Sequence, residues 1–302
     1  MIALIDLYRK ELLKVNGFSP STVETYTISI VDFCHFVKNE LQTDLSHIRG
    51  PQLLNWIQYL KNIGIGHGRI ANHHYALKSF FAFLKKAGYI DSNPAQNLPL
   101  LITRRRQVTK PISTINAFKL LDCFDQRTWH GLRNYTMVAV LWTLGLRTSE
   151  LTGLKVKSFE TGHGKNIGLL RIRGKNKKQR ALFVVDRLYD QLTGYLAHPQ
   201  SPKKKKAALF PAQPDTAISN NRLQNIIKEQ AKKVGIKARV TPRVLRHAFA
   251  TEMYHQNVPL NAICDMMGHE SIAETSIYVH VSDKLKQLAL DNIRISGRLS
   301  WQ

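Results

Sequence analysis

Two runs in which apolar residues tend to alternate with polar ones, IGLLRIR at 167–173 and RALFVV at 180–185, flank the segment GKNKKQ in a chain whose other apolar residues recur at helical spacing. Period-two patterning fits a strand half-buried on one face. The polar connection, in which Gly174 and Asn176 accept turn geometry, marks the pair as an antiparallel hairpin. Helical repeats dominate the rest, so the expected fold class is mainly α with one small antiparallel sheet.

Four helices are predicted before residue 93, over 2–14, 19–40, 50–61 and 68–87. The second opens on Ser19, Pro20 and Ser21 and carries Val23, Tyr26, Ile30 and Phe33 at helical spacing; the fourth carries Ala76, Leu77, Phe80, Phe81 and Leu84 on one stripe. Residues 93–110, NPAQNLPLLITRRRQVTK, are rich in Pro and Asn early and contain Arg104, Arg105 and Arg106, and read as an extended basic linker or a solvated charge run. The chain therefore divides into a helical bundle at 1–106 and a mixed domain at 107–302, without internal repeats.

The formal net charge is +23 and the pI near 10.1. Residues 1–106 hold 13 Lys and Arg against 7 Asp and Glu, a net of +6, which leaves +17 for the remaining 196 residues. Both domains are basic, which suits a polyanion touched by the whole molecule. The apolar runs, such as 137–142, are too short to span a bilayer, and the N-terminal MIALIDLYRKELL lacks the basic flank and small-residue cleavage site of a signal peptide. A cytoplasmic protein with no membrane partner is expected. Cys34, Cys123 and Cys264 are widely separated within apolar segments and read as buried thiols. Neither they nor the adjacent His73 and His74 have metal-ligand spacing, so no metal or cofactor is expected.

Function is concentrated in the second domain. Arg147, Lys175, Arg246 and His269 are groups that hold a phosphodiester and neutralise charge developing on it, and the Tyr278 hydroxyl is a nucleophile toward phosphorus. Arg147 lies in LGLRTSELTGL, where an arginine among leucines needs an anion; Glu150 could supply it, and Gly145 permits a close local approach. In TPRVLRHAFATEM, Thr241 and Pro242 start a helix whose wheel puts Val244, Leu245, Ala248 and Phe249 in the core and Arg243 with Arg246 on the opposite face. In MMGHESIAETSIYVHV, Gly268 ends one helix, and Ser271 with Glu274 forms a capping box for a helix carrying Tyr278 near its end. The run PKKKK at 202–206 reads as a solvated loop.

These stretches, with RGKNKKQR, resemble the tyrosine recombinases, or phage-type integrases, and their Xer-like members; Arg246, His269 and Tyr278 fall 23 and 9 positions apart, as in that family. The resemblance implies a SAM-like core-binding domain at 1–106, without the arm-binding domain of lambda-type integrases ahead of it, and a catalytic domain at 107–302. It implies that Arg147 and Arg246 grip the scissile phosphate, Lys175 protonates the leaving 5′ oxygen, His269 hydrogen-bonds a nonbridging oxygen and Tyr278 forms a 3′-phosphotyrosyl link, without metal or ATP. Arg243 stands where the family has histidine; arginine stabilises phosphate charge but cannot accept the tyrosine proton, which leaves the general base open and points to an enzyme of a mobile element. Glu150 is expected to pair with Arg243, and His247 to be structural. Arg104, Arg105, Arg106, Lys177, Lys178 and Arg180 are the expected DNA contacts. The implied partners are duplex DNA bearing short inverted repeats and a homotetramer closed by a docking helix at 282–293; an accessory protein or second recombinase stays open. A type IB topoisomerase and a noncatalytic helix-turn-helix regulator are the alternatives.

Overall fold

The computed structural model describes residues 2–99, 111–162, 164–174 and 179–276. The chain forms two compact units, Met1–Gln107 and Val108–Gln302.

The first unit is a bundle of α1 (Ile2–Lys14), α2 (Pro20–Phe36), α3 (Gly50–Asn62) and α4 (His67–Lys86). Ser19 caps α2 by accepting from the Thr22 N–H at 3.3 Å, with Pro20 in the first turn, and a π-helical turn at Val37–Leu41 extends it. Tyr8, Leu12, Ile30, Phe33, Leu53, Trp56, Leu77, Phe80 and Phe81 fill the core, where Phe33 meets Trp56 and Phe81 edge-on at 5.9 and 6.0 Å. His73 and His74 lie side by side on α4, both buried in this bundle, their ring pKa values pushed down by burial.

The second unit contains α5 (Thr114–Asp122), α6 (Trp129–Leu144), α7 (Thr148–Thr152), β1 (Phe159–Glu160), β2 (Ile167–Arg173), β3 (Gln179–Val185), α8 (Asp186–Ala197), β4 (Pro211–Gln213), β5 (Thr216–Ala217), α9 (Asn220–Lys233), α10 (Pro242–His255), α11 (Leu260–Met267) and α12 (Ile272–Thr275). The antiparallel sheet runs β1-β2-β3, with Leu170 opposite Leu182 and Arg173 opposite Gln179. Its inward residues Leu170, Ile172, Leu182 and Val184 join a core centred on Met137, Val138, Val140 and Leu141 of α6. Two short elements, β4 and β5, form a separate hairpin.

Several details differ from the sequence expectations. Cys123 is half-buried, its thiol donating to the Leu120 carbonyl at 3.0 Å, whereas Cys34 and Cys264 are buried. Ser271 takes the extended N-cap conformation of α12, yet its hydroxyl makes no cap bond. The basic loop after α8 is exposed, but Lys203 turns back to donate to the Leu196 and His198 carbonyls at 3.0 and 2.9 Å and so satisfies that helix end.

Candidate active site

The turn between α6 and α7, helix α10 and strand β3 converge at the C-terminal end of α11. Gly145 ends α6 in the left-handed conformation, φ 61°, and a Cβ there would run into the Phe249 ring. The chain reverses and places Arg147 at the N-cap of α7, where its backbone N–H donates to Glu150 Oε2 at 2.8 Å and its Nη1 to Glu150 Oε1 at 3.1 Å. Thr241 caps α10 by accepting from the Val244 N–H, and Arg246 projects from the next turn.

Nine of the fourteen residues of α10 are buried, Arg246 among them. The helix wheel put Arg246 beside Arg243 on an outward face, and that expectation fails because α10 packs against α6, α9 and α11. Arg246 is 8% exposed, while Arg243 is in solvent. Burial of a guanidinium requires acceptors, and Arg246 donates through Nη1 to the Gly145 carbonyl and through Nη2 to the Met267 carbonyl, both at 2.8 Å.

Glu150 is the anion at the centre, 5% exposed. Its side chain accepts two parallel bonds from Arg180, Nη1 at 2.7 Å and Nη2 at 2.9 Å, besides the Arg147 contacts, and Arg246 Nη1 stands 3.7 Å away. Burial pushes this carboxyl up; the Arg180 hydrogen bonds, the Arg147 N–H and the charges of Arg180 and Arg246 outweigh it and hold the group ionised below its ordinary pKa. Two expectations are thereby corrected. Glu150 pairs with Arg147, Arg180 and Arg246 rather than with Arg243, whose Nε instead donates to His247 Nε2 at 3.4 Å. Arg180, expected on the DNA surface, is turned inward because β3 brings it from thirty residues away in sequence to a carboxylate that needs a cation.

The last turn of α11 supplies backbone acceptors. Met266 O accepts from Arg180 Nε at 2.8 Å, Met267 O from Arg246 Nη2 at 2.8 Å and Gly268 O from Arg147 Nη2 at 2.8 Å. Cations at a helix C-terminus are also favoured by its dipole. Gly268 is left-handed, φ 63°, and any Cβ would stand 2.6 Å from Arg180 Nη1. The next residue, half-buried His269, shares a 2.7 Å hydrogen bond between its Nδ1 and Thr275 Oγ1. Burial, then the charges of Arg246, Arg147 and Arg180, lower its pKa to about 4, so the ring is neutral at neutral pH. His247, beside Arg246, is lowered to about 4 by burial and by Arg243 and Arg246.

Next to Glu150 an open cleft is lined by Lys155, Lys157, Arg171, Arg173 and Lys206. Sequence reasoning missed these cations. Lys155 and Lys157 sit on a 3-10 turn, and the chain pairing that brings Lys206 to them, Lys155 against Ala208, leaves no local pattern. It also missed Thr275 and the α11 carbonyls. Lys175, Lys177, Lys178, Tyr278, Arg104, Arg105, Arg106 and the segment 282–293 lie outside the described residues.

The model of the phage integrase family matches residues 113–284, which takes in this whole constellation. The chain belongs to the phage integrase family. This makes it a tyrosine recombinase, an enzyme of DNA cleavage and rejoining. Residues 5–88 match the phage integrase N-terminal SAM-like domain. The integrase is 30% identical over 278 residues to tyrosine recombinase XerC of Thermodesulfovibrio yellowstonii, covering 89% of this chain and 88% of that one. In fold it is similar to the XerH site-specific recombinase bound to palindromic difH substrate in a post-cleavage complex, with TM-score 0.75 and 20% identity, covering 94% of this chain and 84% of that one. It is similar in fold also to a lambda integrase tetramer bound to a Holliday junction, with TM-score 0.71 and 14% identity, covering 91% and 76%. Among the described residues of the integrase, no helix is long and apolar enough to cross a membrane.

Proposed function

We propose that this integrase recombines DNA at specific sites by transesterification through Tyr278, with Arg147 and Arg246 as the clamp on the scissile phosphate. One observation carries the reading: the two arginines reach from α7 and α10 to adjacent carbonyls at the end of α11 and to one carboxylate, so their guanidinium groups are fixed side by side. Two such cations stabilise the charge that gathers on the phosphoryl oxygens in the transition state. The Tyr278 oxygen attacks phosphorus as its phenol proton passes to water, the bond to the 5′ oxygen breaks, and Lys175 gives that oxygen its proton; the strand is left with a 3′-phosphotyrosyl link and a 5′ hydroxyl. The 5′ hydroxyl of a partner strand then attacks phosphorus and gives its proton back to Lys175, the bond from phosphorus to Tyr278 breaks with its electron pair on the phenol oxygen, and that oxygen regains a proton from water. One phosphodiester replaces another, so the cycle needs no ATP. Neutral His269, oriented by Thr275, donates to a nonbridging oxygen.

The cleft lined by Lys155, Lys157, Arg173 and Lys206 receives backbone phosphates beside the cut. Arg104, Arg105, Arg106, Lys177 and Lys178 contact DNA phosphates as well. The sites are short inverted repeats, and four copies act on two of them, as four copies of lambda integrase hold a Holliday junction. The enzyme works in the cytoplasm.

The test begins with the full chain selecting bound duplexes from a random pool. The recovered site is then built into a nicked suicide substrate. Wild type should form a covalent adduct on it, and Tyr278→Phe should bind with nearly unchanged affinity and form none. An adduct that persists in the mutant sinks the nucleophile assignment, and wild type without an adduct returns the chain to a noncatalytic DNA reader. Joining between two separate copies of the site distinguishes recombination from topoisomerase-like relaxation of a single duplex.

A further inference from the structure

Arg180 has no role in the chemistry just described, yet it is the arginine most tightly bound to the carboxylate at the centre of the site. Its two bonds to Glu150, at 2.7 and 2.9 Å, are shorter than the 3.1 Å side-chain contact of Arg147 and the 3.7 Å approach of Arg246. A buried carboxylate beside a phosphate clamp poses an electrostatic problem. It holds the arginines in place, but it also cancels the charge they bring to phosphate and repels the phosphate itself. Three guanidinium groups around one carboxylate leave the cluster with net positive charge, and the geometry shows which cation the carboxylate occupies. Arg180 adds a third bond, Nε to the Met266 carbonyl at 2.8 Å, which fixes the end of α11 on which Arg147 and Arg246 also rest.

We infer that Arg180 is a positioning residue for the phosphate clamp: by taking up the Glu150 carboxylate and pinning α11, it leaves Arg147 and Arg246 placed and cationic toward the scissile phosphate. It acts through those two arginines and does not touch DNA; only 14% of its side chain is exposed. The inference rests on the clamp assignment made above.

The experiment compares cleavage of the selected site with a normal scissile phosphate and with a methylphosphonate there, in which a methyl group replaces one nonbridging oxygen and removes the negative charge. Arg147→Ala serves as the control. A group that serves phosphate charge loses importance on the neutral linkage, whereas a general loss of structure does not. Arg180→Ala is expected to cut the normal substrate about 10²-fold more slowly, the scale of a misplaced catalytic group, with DNA affinity within about threefold. On the methylphosphonate its deficit relative to wild type should shrink by about tenfold or more, in parallel with Arg147→Ala. Arg180→Lys, which keeps the charge but cannot reach both Glu150 and Met266, should fall between. Arg180→Gln, which keeps hydrogen bonding without charge, should behave as Arg180→Ala, and it serves if the alanine variant does not fold. If Arg147→Ala shows the linkage dependence and the Arg180 variants lose equally on both substrates, or lose nothing, the role of Arg180 is overturned and the clamp stands. If Arg147→Ala itself loses equally on both, the clamp reading fails.

Discussion

Arg243 and His247 stand one turn apart on α10, and the exposed arginine donates from Nε to the imidazole Nε2 at 3.4 Å. The bond leaves His247 neutral and acting as an acceptor, and makes Arg243 part of why that ring resists protonation. Arg243→Ala should therefore raise the His247 pKa from about 4 toward the ordinary value, read by NMR titration of the ring. Because the side chain is exposed, stability should change by no more than about 0.5 kcal/mol. Arg243→His should keep cleavage activity; loss of cleavage with intact stability would show that the cation faces the phosphate.

Acid should weaken this fold chiefly through His247 and His269, with buried His73, His74 and Glu150 acting in the same direction. His247 and His269 both have folded pKa values near 4, below the ordinary value of about 6.5. In that window the unfolded chain binds protons that the folded chain refuses, so stability is fully present above about pH 6.5 and is lost as pH falls toward 4. Thermal unfolding of the full chain between pH 7 and pH 4 should show the decline, and a His269→Gln variant should decline less steeply.

Arg147→Ala and Arg246→Ala should each lower the cleavage rate by about 10² to 10³, the scale for losing one group that stabilises transition-state charge. Their stabilities should diverge. Arg246 is nearly buried and serves the Gly145 and Met267 carbonyls, so its loss should cost about 1–3 kcal/mol in unfolding, whereas Arg147, with a third of its side chain exposed, should cost less. Equal stability losses would contradict the different burial of the two.

Lys175→Ala should slow cleavage by about 10² to 10⁴, the general-acid range, and a substrate with sulfur at the 5′ leaving position should recover most of it because a thiolate leaves without a proton. An equal defect on oxygen and sulfur substrates would remove Lys175 from that role.

Local chemistry made much of this molecule legible beforehand. The hairpin falls at 167–173 and 179–185, within one residue of its alternating pattern, and the stripe Ala76, Leu77, Phe80, Phe81 and Leu84 is buried as its spacing requires. Gly145 and Gly268 end helices in the left-handed conformation, as expected where the chain must turn closely against a neighbour. What failed was non-local. A helix wheel assumes one apolar side, so it turned Arg246 outward on a helix enclosed on several sides. The partner of Glu150 could not be read because Arg180 arrives by strand pairing, and an arginine after three basic or polar residues in a turn looks like a surface charge. Backbone acceptors such as Met266 O carry no signature, since any residue offers the same carbonyl.

That last point bears on how the site tolerates change. The three arginines are held by consecutive peptide oxygens of Met266, Met267 and Gly268, so no side chain of α11 supplies an acceptor, although the buried Met267 and the left-handed Gly268 are fixed by packing and backbone conformation. Lengthening or shortening α11 by a single residue is another matter. It would swing each oxygen about 100° around the helix axis and withdraw all three from their cations at once. The acceptors at Met266 and Met267 are thus set by where the backbone runs rather than by side-chain chemistry, and a shift of register along the helix is a vulnerability to insertion and deletion that no survey of substitutions would reveal.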